Sequence, residues 1–258
     1  MRAATKIAVA GATGRVGRHV AEVLEARGQD VVPMSRSQGV DVISGKGLAE
    51  AMEGVEVLVD TATGPSPEQQ AATEFFTTAA RNLEDAGRKA GVRRVVVVSI
   101  IAADRFAGGY GAAKIAHEQA WLAGMIPVRI LRAAQFHEFV PQLLEWGTQG
   151  DVAYVQEMRT QLVAARSVGE VLADLATEPE SPAAGPAAPT VEVAGPRVED
   201  LVEMAKLFVA RRGVPVRIQG VSDPADPESQ LYTSGGLLPG PGAIIAGPTF
   251  EEWLETGP

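Results

Sequence analysis

Lys6-Ile7-Ala8-Val9-Ala10-Gly11-Ala12-Thr13-Gly14-Arg15-Val16-Gly17 decides the fold. A short, mostly apolar strand runs into a turn with three glycines and then into a helical pattern. Val16, Val20, Val23 and Leu24 share one helical face, and Gly28 stands at the expected C′ position. Two of the glycines let the backbone turn tightly and come close to a pyrophosphate, and the third lets helix and strand pack closely. The helix N-terminus offers unpaired N–H groups and a positive dipole end, so the expected guest is a nucleotide's phosphates. Spacing alone is weak evidence: with 28 glycines in 258 residues, chance supplies roughly 0.3 such triplets. The strand before and the helix after carry the inference, against the competing reading of a plain surface turn.

Working outward, the sequence predicts a second strand at Asp30–Met34 and a weak strand at 40–43, the irregular neighbour that Pro33 requires. A short helix at 48–52 leads to a strand at 55–60. The next helix carries Ala72, Phe75, Phe76, Ala79, Leu83, Ala86 and Ala90 on one stripe, which is core spacing. Val95 to Val98 is apolar without alternation, the mark of a strand buried on both faces. A helix from Tyr110 to about Ala123 and a strand at 127–131 follow. Six alternations predict an α/β fold of Rossmann type, a doubly wound parallel sheet with a small C-terminal substrate-side region. Residues 1–258 form one domain in this reading, with 134–258 supplying the lid. In that last part the sequence predicts a helix at 136–146 and another opened by a capping box at Ser167-Val168-Gly169-Glu170. A Pro/Ala-rich surface loop at 177–189, a strand at Thr190–Ala194, a helix through Val209, a strand at 214–218 and a tail reaching Phe250 and Trp253 complete it.

The net charge of −9 argues against nucleic acid or an anionic membrane as partner and leaves a small-molecule substrate. Oligomeric state is not encoded in any motif. Cysteine is absent, and His19, His117 and His137 lie at no metal-ligand spacing, so no metal site is expected and each histidine reads as a surface or packing residue. Arg2 and Lys6 precede an apolar stretch too short for a secretory signal, and no segment reaches the ~18 apolar residues of a membrane span. The expected location is cytoplasmic.

Ligands of open α/β sheets bind outside the carboxyl ends of the strands. Those ends give the candidates: Gly11, Thr13, Gly14, Arg15, Val16 and Gly17; Ser35 and Arg36; Asp41 and Val42; Thr61, Ala62 and Thr63; Ser99; and Ala133, Gln135 and Phe136. An NAD site places a carboxylate after the second strand to accept from the ribose hydroxyls, whereas a 2′-phosphate needs cations and hydroxyl donors. Ser35, Arg36 and Ser37, with Arg15 close by, predict NADP(H) over NAD(H). Tyr110 and Lys114 stand at i, i+4, a pairing that chance supplies only about 0.06 times in this composition. On one helical face the ammonium can lower the tyrosine pKa and hold ribose hydroxyls, while Ser99 orients a carbonyl oxygen. The competing reading makes Tyr110 a packing residue and Lys114 an exposed charge.

With these residues in view, the chain resembles the short-chain dehydrogenase/reductase superfamily, in its atypical branch of NmrA-like NAD(P)H-binding proteins. The resemblance rests on residues 11–17, Ser35-Arg36-Ser37, Gly39-Val40-Asp41-Val42, Val97-Val98-Ser99-Ile100, Tyr110 to Lys114, Ile130 to Phe136 and the closing Thr249 to Leu254. It implies adenine near Asp41 and Val42, pyrophosphate on the glycine loop, and nicotinamide near Thr61 to Thr63, Ser99 and Ala133 to Phe136. It also implies catalytic roles for Ser99, Tyr110 and Lys114 in reducing a carbonyl. Three functions remain open on the sequence: an NADPH-dependent reductase of a small carbonyl or quinone-like compound, a non-catalytic NADPH sensor, and a redox-neutral epimerase or dehydratase.

Overall fold

The computed structural model describes residues 4–179 and 190–256. In chain order the elements are β1 (Lys6–Ala10), α1 (Gly17–Ala26), β2 (Asp30–Met34), α2 (Leu48–Ala51), β3 (Val57–Asp60), α3 (Gln69–Ala90), β4 (Arg94–Ile100), α4 (Gly109–Leu122) and β5 (Val128–Ala133). There follow α5 (Phe139–Gly147), β6 (Thr148–Gln149), β7 (Val152–Gln156), β8 (Arg159–Thr160), α6 (Ala165–Thr177), β9 (Thr190–Ala194), β10 (Glu199–Asp200), α7 (Leu201–Arg212), β11 (Arg217–Val221), α8 (Ser229–Thr233), β12 (Ile244–Ile245) and α9 (Phe250–Thr256). Seven strands form the central sheet in the order β12-β9-β5-β4-β3-β1-β2. This is the expected Rossmann-type doubly wound α/β architecture.

The chain divides into two compact units, residues 1–132 with 168–191, and residues 133–167 with 192–258. In the first, β1 pairs in parallel with both β2 and β3, and β3 with β4. The chain leaves β1 for one neighbour and returns on its other side, which makes the carboxyl ends of β1 and β3 the switch point where such sheets bind ligands. Buried Ala8, Leu58, Val95, Val97 and Leu83 form the core around this point.

The strand expected at 40–43 is absent, and the segment is a turn. Asp41 folds it locally by accepting from Ile43 N–H at 2.9 Å and Ser44 Oγ at 2.8 Å. Asn82 of α3 donates to the carbonyls of Val42 and Ile43 at 2.9 and 2.8 Å, replacing the ladder. β2 is therefore a sheet edge, which is how Pro33 is tolerated.

In the second unit, β7 lies between β11 and β6. The expected strand at 214–218 starts later, at Arg217, because the Gly213 cap of α7 is left-handed (φ 64°) and Val214 to Val216 complete the turn. The helix expected from Phe136 begins at Phe139, since Phe136 bridges to Val163. Ser167 does not cap α6. That helix opens two residues earlier, where the Glu138 carboxylate accepts from Ala165 N–H. The loop expected at 177–189 lies mostly outside the described residues. Among the described residues no helix is long and apolar enough to cross a membrane, and no cluster of three or more His, Asp or Glu could hold a metal.

Candidate functional site

The glycine loop is built for a close backbone approach. Gly11 holds φ at +77°, and a Cβ there would stand 2.8 Å from Thr61 O. At Gly17 a Cβ would meet Gly11 O at 2.2 Å and Thr61 Oγ1 at 2.5 Å. Hydrogen bonds tie the ends of three strands to this turn: Gly11 N–H donates to Met34 O at 3.0 Å, and Thr61 donates through N–H and Oγ1 to Ala10 O at 3.0 and 2.7 Å. The cap position of α1 is Val16, which offers no side-chain acceptor, and the first turn holds no acidic residue. A helix N-terminus left this way keeps its donors and dipole for an outside anion. Thr13 is exposed at the turn, and Gly14 and Arg15 are half-buried beside it.

After β2, Ser35 Oγ bonds to Ser37 Oγ and Gln38 Oε1 at 2.9 and 2.7 Å, and Arg36 is exposed. Asp41 stays below the usual carboxylate range, held there by the Ile43 N–H first, then by Ser44, with a smaller contribution from Arg36. The Arg36 guanidinium thus lies within electrostatic reach of the turn that carries Asp41 and Val42.

Ser99 is buried on β4, and its Oγ has no hydrogen-bond partner among the described residues. Tyr110 opens α4, packs edge-on against Phe76 at 5.8 Å and hydrogen-bonds Thr63. Burial pushes its phenol up, and the Thr63 bond offsets only part of that. This corrects the expectation that Lys114 lowers the tyrosine pKa. Nor is Lys114 an exposed charge: its side chain is buried, and its Nζ donates to Val98 O at 2.9 Å and meets His117 Nδ1 at 3.0 Å. The same ammonium lies 4.3 Å from the Phe76 ring centroid.

Behind Lys114 lies a network that sequence reasoning missed. His117 Nε2 is 3.0 Å from Asp60 Oδ2, to which Trp121 Nε1 also donates at 2.9 Å, while Ala62 N–H donates to Asp60 Oδ1 at 3.0 Å. With the ammonium donating to Nδ1, the proton of a neutral His117 sits on Nε2 and points at Asp60. Burial works against the Asp60 charge, but the bond from His117 and those from Ala62 and Trp121 hold its carboxyl below the usual range. Burial, then the neighbouring ammonium, lowers His117. Lys114 is pulled down to about 8 by burial, opposed by Asp60 and Glu118. Glu118 is itself paired with Arg132, which also reaches Asp104 at 2.8 Å. A signal for this network was present: Lys114, His117 and Trp121 recur at i, i+3, i+7, and Asp60 ends a buried strand.

In the second unit Ala133 ends β5. Gln135 takes a hydrogen bond from Thr160 Oγ1 at 2.6 Å and Phe136 bridges to Val163. His137 follows, buried between Phe250 and Trp253, with Nε2 3.1 Å from Pro248 O and Nδ1 without a partner among the described residues. Burial takes its pKa down to about 4. Glu199 is pushed up to about 7 by burial, despite hydrogen bonds from the N–H groups of Leu162 and Phe250.

Comparison with known proteins agrees with this geometry. The sequence profile of the NAD(P)H-binding family matches residues 11–179, and the chain belongs to that family. No curated protein sequence matches it. Among solved structures it is similar to MoeE5 in complex with UDP-glucose and NAD, at 18% identity over 97% of this chain and 96% of that one, with TM-score 0.68. It is similar to UDP-N-acetylglucosamine 4-epimerase from Bacillus cereus, at 16% identity over 98% and 95%, with TM-score 0.69. It is also similar to dTDP-4-dehydrorhamnose reductase from Bacillus anthracis in complex with NADP, at 18% identity over 98% of each chain, with TM-score 0.70. At these identities the likeness is one of fold. The protein binds a nicotinamide dinucleotide.

Proposed function

We propose that the chain is an NADP(H)-dependent oxidoreductase of the atypical short-chain dehydrogenase/reductase type that reduces a small carbonyl or quinone-like substrate. The observation that carries this reading is Ser99 Oγ, a buried hydroxyl at the carboxyl end of β4 without a partner among the described residues. A buried polar atom left unpaired is costly, and the chemistry that repairs it here is a carbonyl oxygen or a cofactor group. The nicotinamide supplies the hydride when bound.

Backbone N–H groups of residues 11–17 hold the pyrophosphate, and Ser35 and Arg36, with Arg15, take the 2′-phosphate. Asp41 and Val42 border the adenine, and Thr61, Ala62 and Thr63 border the nicotinamide end. Ser99 donates to the substrate oxygen. Tyr110, kept protonated through neutral pH by burial, gives its proton to that oxygen as negative charge develops there. The net charge of −9 fits a small-molecule partner rather than a polyanion. Oxidation of NADPH and NADH is to be followed with a panel of carbonyls and quinones. Turnover with NADPH supports the reading, and none with any acceptor overturns the enzymatic part of it.

A second reading, an NmrA-like sensor that binds NADPH without turnover, is favoured by one observation. The Lys114 amine is spent on Val98 O and His117. It predicts cofactor affinity without catalysis and a protein partner captured in one cofactor state only.

A further inference from the structure

Burying an ammonium costs several kcal/mol unless its donors are met, so whatever meets them fixes where the amine points. Lys114 has a flexible four-carbon stem and could reach in several directions. Its direction is set by two acceptors, Val98 O at 2.9 Å and His117 Nδ1 at 3.0 Å. The imidazole has little freedom of its own: it stacks on Phe76 with ring centroids 4.7 Å apart, and its Nε2 is held 3.0 Å from Asp60. Asp60 in turn is fixed by Trp121 Nε1 and Ala62 N–H. The charged groups facing Lys114 are Asp60 from β3 and Glu118 from α4, the latter neutralised by Arg132 from β5. From α3 the Phe76 ring faces it.

We infer that His117, oriented by Asp60, is a positioning residue that aims the Lys114 ammonium along β4, beside Ser99 and the nicotinamide end of the cofactor site. The inference rests on the proposed cofactor site and adds to it a carboxylate, imidazole, ammonium series that acts through the lysine. Its geometry separates two substitutions. In His117→Asn the amide oxygen stands near the place of Nδ1 and preserves the acceptor for Lys114 while giving up Asp60. In His117→Gln the amide nitrogen stands near the place of Nε2 and preserves the bond to Asp60 while leaving Lys114 only Val98 O as acceptor.

The test compares both variants with wild type by melting temperature, by NADPH fluorescence titration, and by the pH titration of the Lys114 Cε resonance in the cofactor-free protein. A positioning role predicts that His117→Asn binds NADPH within about threefold of wild type, while His117→Gln loses about tenfold or more, the effect of one hydrogen bond to a charged group. It also predicts that the Lys114 midpoint falls by about one unit in His117→Gln and holds in His117→Asn. A merely structural histidine predicts the reverse order, with His117→Gln nearer wild type and affinity tracking melting temperature. That order, or equal behaviour of the two variants, overturns the inference. If wild type binds neither NADPH nor NADH, the proposed function falls, and the lysine resonance still decides the inference.

Discussion

Replacing Gly17 by alanine isolates the geometry on which the dinucleotide site depends. Gly17 opens α1 and does not need a left-handed backbone, so alanine suits the chain there and adds about 1 kcal/mol of helix propensity. The cost is purely steric. The new Cβ would lie 2.2 Å from Gly11 O and 2.5 Å from Thr61 Oγ1, so the loop must yield by about 1 Å to reach ordinary contact. Neither neighbour is free to move, because Gly11 O accepts from Gly14 N–H at 2.8 Å and Thr61 Oγ1 is held on Ala10 O at 2.7 Å. Overpacking of this kind costs about 1–3 kcal/mol, so the net loss of stability is about 0–2 kcal/mol, and melting falls by at most a few degrees. Binding suffers more: displacing the loop amides by about 1 Å lowers NADPH affinity by about 100-fold. Gly28→Ala is the control, since Gly28 has φ +74° and nothing within 4 Å of the added Cβ. It costs about 1–2 kcal/mol of backbone strain and leaves affinity unchanged. Thermal melts and fluorescence titrations of both variants decide the matter. A Gly17→Ala protein that binds NADPH within threefold of wild type refutes the reasoning.

Arg36→Glu is expected to weaken NADPH binding at least tenfold, the worth of a charge-assisted hydrogen bond, while NADH affinity changes little; parallel titrations with the two cofactors check it. Tyr110→Phe should abolish carbonyl reduction with NADPH affinity kept, and since burial raises the wild-type phenol, the wild-type rate should show no loss of the tyrosine proton through neutral pH. Stability against pH should carry two opposed contributions in the second unit. Between pH 6.5 and about 4 only the unfolded chain protonates His137, so acid destabilises; between about 7 and 4.5 only the folded chain protonates Glu199, so acid stabilises. Glu199→Gln leaves the first unopposed, and its melting temperature should drop further between pH 7 and 5 than that of wild type, an equal drop showing that Glu199 does not titrate in this range.

The sheet was legible because its signals are local. An apolar run into Gly11, helical periodicity after Gly17 and the unalternating Val95 to Val98 each report on residues close in sequence. The segment at 40–43 failed the same reading because its fate is settled at a distance, by Asn82 forty residues on, and by Asp41 preferring its own turn to a ladder. Ser167 failed as a cap for a similar reason: Glu138, far away in sequence, already serves the first turn of α6. At the site, the strand ends supplied the candidate residues, and the chemistry of Ser35 and Arg36 supplied the expectation of a phosphorylated ribose. Asp60 and His117 escaped because the histidines were judged only by their spacing to one another, whereas the partner of His117 is a carboxylate on another element.

Lys114 shows why side-chain direction is the hardest part to read. The i, i+4 spacing places Tyr110 and Lys114 on one helical face, yet a lysine stem is long enough to turn its charge toward any acceptor nearby. Val98 O and His117 supply those acceptors in the interior, so the ammonium is drawn behind the phenol and does not contribute to its titration. With an apolar residue at position 117 and another at position 60, the buried ammonium would lose its imidazole acceptor and the charge of Asp60. It would then no longer be held along β4 beside Ser99. What aims the Lys114 charge is therefore not the Tyr-x-x-x-Lys spacing. It is the residue three positions further along α4, together with the one that terminates β3.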